Sequence, residues 1–156
     1  MEGKFIIKGQ TRLSGETSVS SAKNSVLPIM AATLLGEGRS IIHGIPVLQD
    51  VLVMKEVLDC LGAKVTLRNS HLVVDTNGLL SSEVPTELTR KLRASNLVMG
   101  ALLARYGKAR VAYPGGCAIG SRPMDLHLKG FERLGARIEE KGGYIEASAF
   151  KMHGAD

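Results

Sequence analysis

The sequence predicts an α/β fold built from two copies of one helix-strand-helix-strand-strand unit. Apolar residues recur with a helical period in some segments and alternate with polar residues in others, which is typical of this class. Residues 61–65 (LGAKV) return as residues 134–138 (LGARI), and residues 22–26 (AKNSV) as residues 94–98 (ASNLV). Because each match lies roughly 70 positions downstream, the pattern indicates duplication of a supersecondary unit and excludes a short solenoid repeat.

The first unit, residues 21–76, is expected to begin with a helix. Ser20 and Ser21 are the N-cap candidates, because a hydroxyl oxygen accepts hydrogen bonds from the free amides of the first turn. The helix is expected to end at Gly36, since glycine readily takes the backbone conformation that closes a helix. Residues 40–43 then predict a short strand.

The second helix of this unit is expected to be capped by Asp50. Its apolar residues recur at 3.6-residue spacing and predict the buried face: Val51, Met54, Leu58 and Leu61. Cys60 lies beside this set and is expected to be a small buried hydrophobic residue. Residues 65–74 then predict a hairpin that turns across residues 68–71.

The second part of the chain, residues 77–148, is a linker followed by the second unit. We expect one long helix over residues 87–106, a short strand over residues 110–112 and a helix over residues 124–134. A hairpin around Gly142 and Gly143 completes the unit.

Both ends of the chain lie outside these units. Within residues 1–20, two strands are expected, over residues 5–7 and 16–19. Residues 149–156 are too short for a complete element and are interpreted as the truncated start of a third unit. Because repeat units bury their apolar faces against neighbours, two units with fragments at both ends indicate part of a larger assembly.

The composition restricts the partners of the chain. Its 156 residues carry a formal net charge of +5, which suits an anionic partner. Lys and Arg are scattered and aromatic residues make up only 4%, so the footprint of a nucleic-acid-binding protein is missing. Neither a signal peptide nor a membrane span is expected, and the chain is interpreted as cytoplasmic. A disulfide between Cys60 and Cys117 is therefore not expected.

The two units differ most in the loop before their second helix. In the second unit, residues 113–125 (YPGGCAIGSRPMD) are longer, richer in glycine and more polar than the corresponding loop of the first unit. Gly115 and Gly116 permit close approach of the backbone to a ligand, and Arg122 offers a guanidinium suited to phosphate or carboxylate. Exposed amides and a nearby cation favour a reactive thiol at Cys117. An ordinary surface loop with an inert cysteine is the alternative.

Two basic residues can each be interpreted in two ways, and the histidines argue against a metal site. Lys23 at a helix start opposes the helix dipole, so it is either incidental or held there for an anion. Arg93 lies in a basic cluster that is either a solvated helix face or a ligand contact. The four histidines show no paired ligand spacing in the sequence, so no metal site is expected.

Residues 114–127 (PGGCAIGSRPMDLH) resemble the catalytic loop of the UDP-N-acetylglucosamine enolpyruvyl transferase (MurA) family. Residues 23–28 (KNSVLP), 91–95 (KLRAS) and 104–107 (ARYG) resemble further motifs of that family. The resemblance covers essentially the whole chain. It implies an inside-out α/β barrel with about six repeat units, of which this chain carries two, and it implies that residues 1–20 join the domain that is missing here.

The resemblance also implies the reaction and the residues that perform it. The enolpyruvyl group of phosphoenolpyruvate is transferred to the 3-hydroxyl of UDP-N-acetylglucosamine, without a metal or cofactor. Cys117 donates the proton, forms an adduct with phosphoenolpyruvate and is alkylated by fosfomycin, while Lys23, Asn24 and Arg122 bind phosphoenolpyruvate. The UDP-sugar site takes a longer set: Arg93, Arg122, Pro123, Met124, Asp125, Leu126 and His127.

Some observations depart from this family pattern. Leu97 stands where some relatives carry an aromatic residue, and the family's general-base aspartate and a further arginine belong to the portion that is absent here. The chain alone is therefore expected to be inactive. Two alternatives remain: a relative that acts on shikimate phosphate, against which the Cys117 loop argues, and a fragment that binds ligands or has only a structural role.

Overall fold

The computed structural model describes residues 4–10, 12–78, 81–92, 97–113 and 124–155. The helices in these ranges are α1 (Lys23–Ala32), α2 (Gln49–Cys60), α3 (Thr86–Lys91), α4 (Leu97–Tyr106) and α5 (Asp125–Arg133). A single 3₁₀ turn, Thr33–Leu35, extends α1. The strands are β1 (Arg39–His43), β2 (Lys64–Arg68), β3 (His71–Asp75), β4 (Glu83–Val84), β5 (Lys108–Ala112), β6 (Arg137–Lys141) and β7 (Tyr144–Ser148).

The strands form two sheets with the same internal arrangement. In the first sheet the order is β1-β3-β2, and both pairs are antiparallel. In the second, β5, β7 and β6 repeat this antiparallel order, and the short β4 is added parallel to β5. Both predicted hairpins are confirmed. The first turns at Asn69 and Ser70, whose φ angles of 48° and 60° match the tight turns that suit the twist of a hairpin.

The core lies where the helices meet the inner faces of the sheets. Alternate strand residues are buried, as in β3, where Leu72 and Val74 are inaccessible while their neighbours are not. Helices α1 and α4 pack on each other and α1 also packs on α2, so the helices join the two units. The largest fully buried side chains come from both units: Met30, Leu34, Ile45, Val51, Met54, Leu58, Leu61, Leu72, Met99, Leu102, Leu103 and Ile145.

Arg105 of α4 connects the second unit to the end of the first helix. Its guanidinium donates hydrogen bonds to the carbonyl oxygens of Leu34 and Gly36, at 3.1 and 2.8 Å, and to that of Thr76, at 3.2 Å. The carbonyls of Leu34 and Gly36 lie at the C-terminal end of the first helix, and that of Thr76 directly follows β3. A cation is favourable at a helix C-terminus. The arginine side chain is only 9% exposed, so the contact is largely shielded from water.

The predicted strands at residues 5–7 and 16–19 are not formed. Residues 4–10 and 12–20 contain no strand, and Phe5, Ile7 and Val19 are almost fully exposed. A strand needs a neighbour to pair its backbone groups, and the described part of the chain provides none for this segment.

The prediction of one helix over residues 87–106 is wrong. Leu92 has extended backbone angles, φ −134° and ψ 111°, which end α3 after Lys91. Its side chain is buried in the common core, so packing of Leu92 overrides the helical propensity of the segment. The two-residue strand β4, which precedes α3, was not predicted, because two residues carry no measurable periodicity.

Candidate active site

Lys23 and Asn24 are the first two residues of α1, and both are exposed. The N-cap residue is Ala22, with an extended backbone, and no side chain caps the helix. The prediction that Ser20 or Ser21 would cap it is therefore wrong. Uncapped first-turn amides and the positive end of the helix dipole favour an anion at this position.

Lys23 is paired with Asp50, which lies in the first turn of α2. The ammonium nitrogen is 2.7 Å from a carboxylate oxygen, and the two side chains are 46% and 35% exposed. Asp50 is not the N-cap that the sequence predicted, because Leu48 occupies that position. The carboxylate offsets the unfavourable lysine at the start of α1 and is itself favourable at the start of α2. Sequence reasoning missed this pairing of two helix starts.

The residues at the start of α5 are exposed, apart from its N-cap. Met124 is the N-cap and is buried, whereas Asp125, Leu126 and His127 are exposed. Leu126 stands out, because 74% of this apolar residue is open to solvent. Along the same helix, Lys129, Gly130 and Arg133 line a shallow open cavity with Leu126 and Glu132. The start of α5 therefore offers an accessible surface, anchored by the buried side chains of Met124 and Leu128.

Tyr113 fixes the chain where the glycine-rich loop leaves β5. Its backbone amide donates to the carbonyl of Gly143 at 2.9 Å, and its hydroxyl donates to the carboxylate of Glu140. The hydrogen bond to Glu140 raises the pKa of Tyr113 to about 12. The loop therefore begins from a residue that is tied to the β6–β7 hairpin.

Several predicted site residues lie outside the described residues: Arg93, Cys117, Arg122 and Pro123. Of the predicted set, the structure places Lys23 and Asn24 at the start of α1, and Met124 to His127 at the start of α5.

Cys60 is exposed, so the prediction that it is a buried hydrophobic residue is wrong. The buried face of α2 contains Val57 and Leu58, and Cys60 falls on the outer side with Asp59. The spacing of apolar residues predicted the buried face of α2 correctly, but Cys60, the last residue of the helix, does not lie on that face.

Within the described segments, no three histidine, cysteine or acidic side chains converge as a metal-binding group. The described helices are also too short or too polar to cross a membrane.

Comparison with known proteins identifies the family. Residues 7–154 match the model of the EPSP synthase (3-phosphoshikimate 1-carboxyvinyltransferase) family. The chain belongs to this family. Within it, the chain is 54% identical over 151 residues to UDP-N-acetylglucosamine 1-carboxyvinyltransferase 2 of Carboxydothermus hydrogenoformans. It is 51% identical over 152 residues to the protein of the same name from Caldanaerobacter subterraneus. Each alignment covers 97% of this chain and 36% of the relative, so the chain spans about a third of their length.

Two solved structures share the fold of this chain. The enolpyruvyl transferase NikO from Streptomyces tendae superposes with a TM-score of 0.77 at 23% identity, over 92% of this chain and 32% of its own. EPSP synthase from Acinetobacter baumannii gives a TM-score of 0.63 at 18% identity, over 90% of this chain and 33% of its own. The predicted α/β class of the enolpyruvyl transferases and the predicted family resemblance are both confirmed.

Proposed function

We propose that this chain is the N-terminal portion of a UDP-N-acetylglucosamine 1-carboxyvinyltransferase. The observation that carries the proposal is an identity above 50%, over nearly the whole chain, to relatives with that name. The reaction opens peptidoglycan synthesis in the cytoplasm and so serves cell shape and division. The substrates are phosphoenolpyruvate and UDP-N-acetylglucosamine, and both are anions that suit a chain of net charge +5.

The reaction proceeds by addition and elimination. The sugar 3-hydroxyl attacks C2 of phosphoenolpyruvate and gives its proton to the general-base aspartate expected in the portion beyond this chain, while the thiol of Cys117 donates a proton to C3 as a positioned general acid. Phosphate then leaves from C2 as a proton leaves C3, which restores the double bond in the product. Lys23, Asn24 and Arg122 bind the phosphate and carboxylate groups, because cations and amides suit these oxygens.

The UDP-sugar is assigned to the start of α5. Met124, Asp125, Leu126 and His127 bind it together with Arg93, Arg122 and Pro123. Exposure of residues 125–127 supports this role, since a ligand can reach all three side chains. The exposed Leu126 offers an apolar surface for the uridine or sugar ring.

The remainder of the active site is assigned to the portion of the protein beyond this chain. Residues 1–20 would form their strands against that portion, and residues 149–156 would begin the third unit. The exposed Phe5, Ile7 and Val19 support this assignment, because exposed apolar side chains of this kind mark a surface that another part of the protein covers. The purified chain should show no transferase activity, and turnover by the chain alone would contradict the proposal.

Fosfomycin tests the role of Cys117 on the chain itself. Its thiolate would open the epoxide, forming a carbon–sulfur bond and breaking a carbon–oxygen bond, with the epoxide oxygen then protonated. Intact-mass analysis should show one adduct in the wild type and in Cys60→Ser, and none in Cys117→Ser. The control matters because Cys60 is exposed. An adduct on Cys60 alone would overturn the assignment.

A second candidate substrate follows from the description of the family model that matches, which is a 3-phosphoshikimate transferase. Calorimetric titration of the chain with UDP-N-acetylglucosamine and, separately, with shikimate 3-phosphate distinguishes the two. We expect binding of the nucleotide sugar. Binding of shikimate 3-phosphate alone would favour the second candidate, and binding of neither would favour a structural fragment.

A further inference from the structure

Two histidines from different strands meet at the outer face of the first sheet. His43 ends β1 and His71 begins β3, and they are direct partners in the antiparallel register. Their Nδ1 atoms are 2.8 Å apart, and the ring centroids are 4.8 Å apart with an angle of 79° between the planes. Both side chains are exposed. The pair is separated by 28 positions in the chain, so no local spacing reveals it.

The backbone fixes the positions from which both imidazoles project. His71 directly follows the two-residue turn of Asn69 and Ser70. Beyond His43, the amide of Ile45 donates to the carbonyl of Ser70 at 2.9 Å, so the hydrogen-bonded connection of the two segments continues past the pair. The sheet therefore holds the two rings next to each other. Because the backbone is already ordered, the chain loses little conformational entropy when both rings bind one ligand.

The spacing of the two nitrogens fits a shared cation. The observed contact needs one Nδ1 to donate a proton and the other to accept it. A metal ion with bonds of about 2.0 Å to two cis nitrogens in a square plane holds them about 2.8 Å apart. A tetrahedral ion holds them about 3.3 Å apart, which requires the rings to separate. The distance between the two nitrogens is thus closer to that around a square-planar ion than to that around a tetrahedral one.

We propose that His43 and His71 form a two-imidazole site for Cu²⁺ or Ni²⁺, with water in the remaining positions. Imidazole suits both ions, and Cu²⁺ binds nitrogen ligands most strongly among the first-row divalent metals. The ion would replace the proton between the rings, after each ring turns by about 45° so that both lone pairs point at the metal. This site is independent of the proposed transferase reaction.

The surroundings limit the affinity of this site. Arg68 of β2 is the register partner of His71, and its charge opposes a bound cation. The next row on this face is uncharged and consists of Ile41, Val73 and Thr66. Asp75 lies one row further, between Arg39 and Lys64, so its carboxylate is already matched by cations.

Titration with CuCl₂ tests the site directly. The 156-residue chain is first treated with N-ethylmaleimide, so that Cys60 and Cys117 cannot bind copper. Calorimetry should show one equivalent of Cu²⁺, and electron paramagnetic resonance should show nitrogen coordination. His43→Gln and His71→Gln should each weaken binding at least about tenfold. NiCl₂ should bind at the same site more weakly, in line with the general order of metal affinities.

Two further variants separate this site from unspecific binding. His153→Gln removes an exposed histidine elsewhere, and its affinity for Cu²⁺ should equal that of the wild type. Arg68→Gln removes the opposing charge and should tighten binding about two- to fivefold at low ionic strength. Absence of Cu²⁺ binding, or equal binding by wild type and His43→Gln, would overturn the proposal.

Discussion

The ammonium group of Lys23 and the carboxylate of Asp50 join the starts of α1 and α2 at a distance of 2.7 Å. The pair is partly open to solvent, so its contribution to stability is expected to be small. A double-mutant cycle with Lys23→Gln and Asp50→Asn should give a coupling free energy of about 0.2–1 kcal/mol in urea unfolding at low salt. In 1 M salt this coupling should largely disappear. A coupling above about 2 kcal/mol would show that the pair is shielded from water, contrary to the structure.

Replacement of Arg105 should be much more damaging. Arg105→Met leaves the carbonyls of Leu34, Gly36 and Thr76 without this donor in a largely shielded place, at a cost of about 2–4 kcal/mol. The matched control is Glu37→Gln, because Glu37 pairs with Arg105 at 3.4 Å but is 75% exposed. That control should cost less than about 1 kcal/mol. Equal losses in the two variants, measured by urea unfolding, would contradict the role of the carbonyl contacts.

Gly107 follows α4 at a point where no other residue fits. Its φ is +67°, and an added Cβ would lie 2.6 Å from the carbonyl oxygen of Ala149. Gly107→Ala should therefore cost about 3 kcal/mol or more in thermal or urea unfolding. Gly142 also has a positive φ, +61°, but open space around it, so Gly142→Ala should cost only about 1–2 kcal/mol. Similar costs at both positions would show that the backbone near Ala149 moves away.

The ionisation of Tyr113 reports on its contact with Glu140. The hydroxyl should titrate at about pH 12, and Glu140→Gln should move its pKa back toward the ordinary value of 10.0. Because the pKa is raised on folding, the contact stabilises the protein fully below about pH 10 and is lost as the pH rises through about 12. Ultraviolet absorption of tyrosinate measures this, and Tyr113→Phe identifies which transition belongs to Tyr113. An unchanged pKa in Glu140→Gln would exclude the contact.

Local signals predicted the repeated parts of the fold. Gly62 and Gly135 end equivalent helices with positive φ, and both are followed by hairpins that the alternation of residues predicted. These features depend on a few neighbouring residues, so a single sequence contains enough information to find them. The chemistry of the site was inferred from residue types and family motifs. Of the predicted site residues, Lys23 and Asn24 lie at the start of α1 and residues 124–127 at the start of α5, whereas Arg93, Cys117, Arg122 and Pro123 lie outside the described residues.

Features that depend on distant residues were not predicted. Leu92 ends α3 because its side chain packs into the core. The residues next to it in the sequence do not indicate this packing. Residues 5–7 are a short apolar run that predicts a strand, but they have no strand partner within the described chain. The contact of His43 with His71 and that of Lys23 with Asp50 arise only after strands pair and helices pack.

The packing of α1 on α4 has a consequence for synthesis of the chain. The contact joins segments roughly 70 residues apart, whereas each hairpin closes locally. A ribosome adding about 5–20 residues per second would need about 4–14 seconds to complete α4 after α1. During that time the apolar face of α1, which includes Leu27 and Met30, lacks the cover that α4 provides, so the first half of the nascent chain exposes apolar surface that a chaperone can bind.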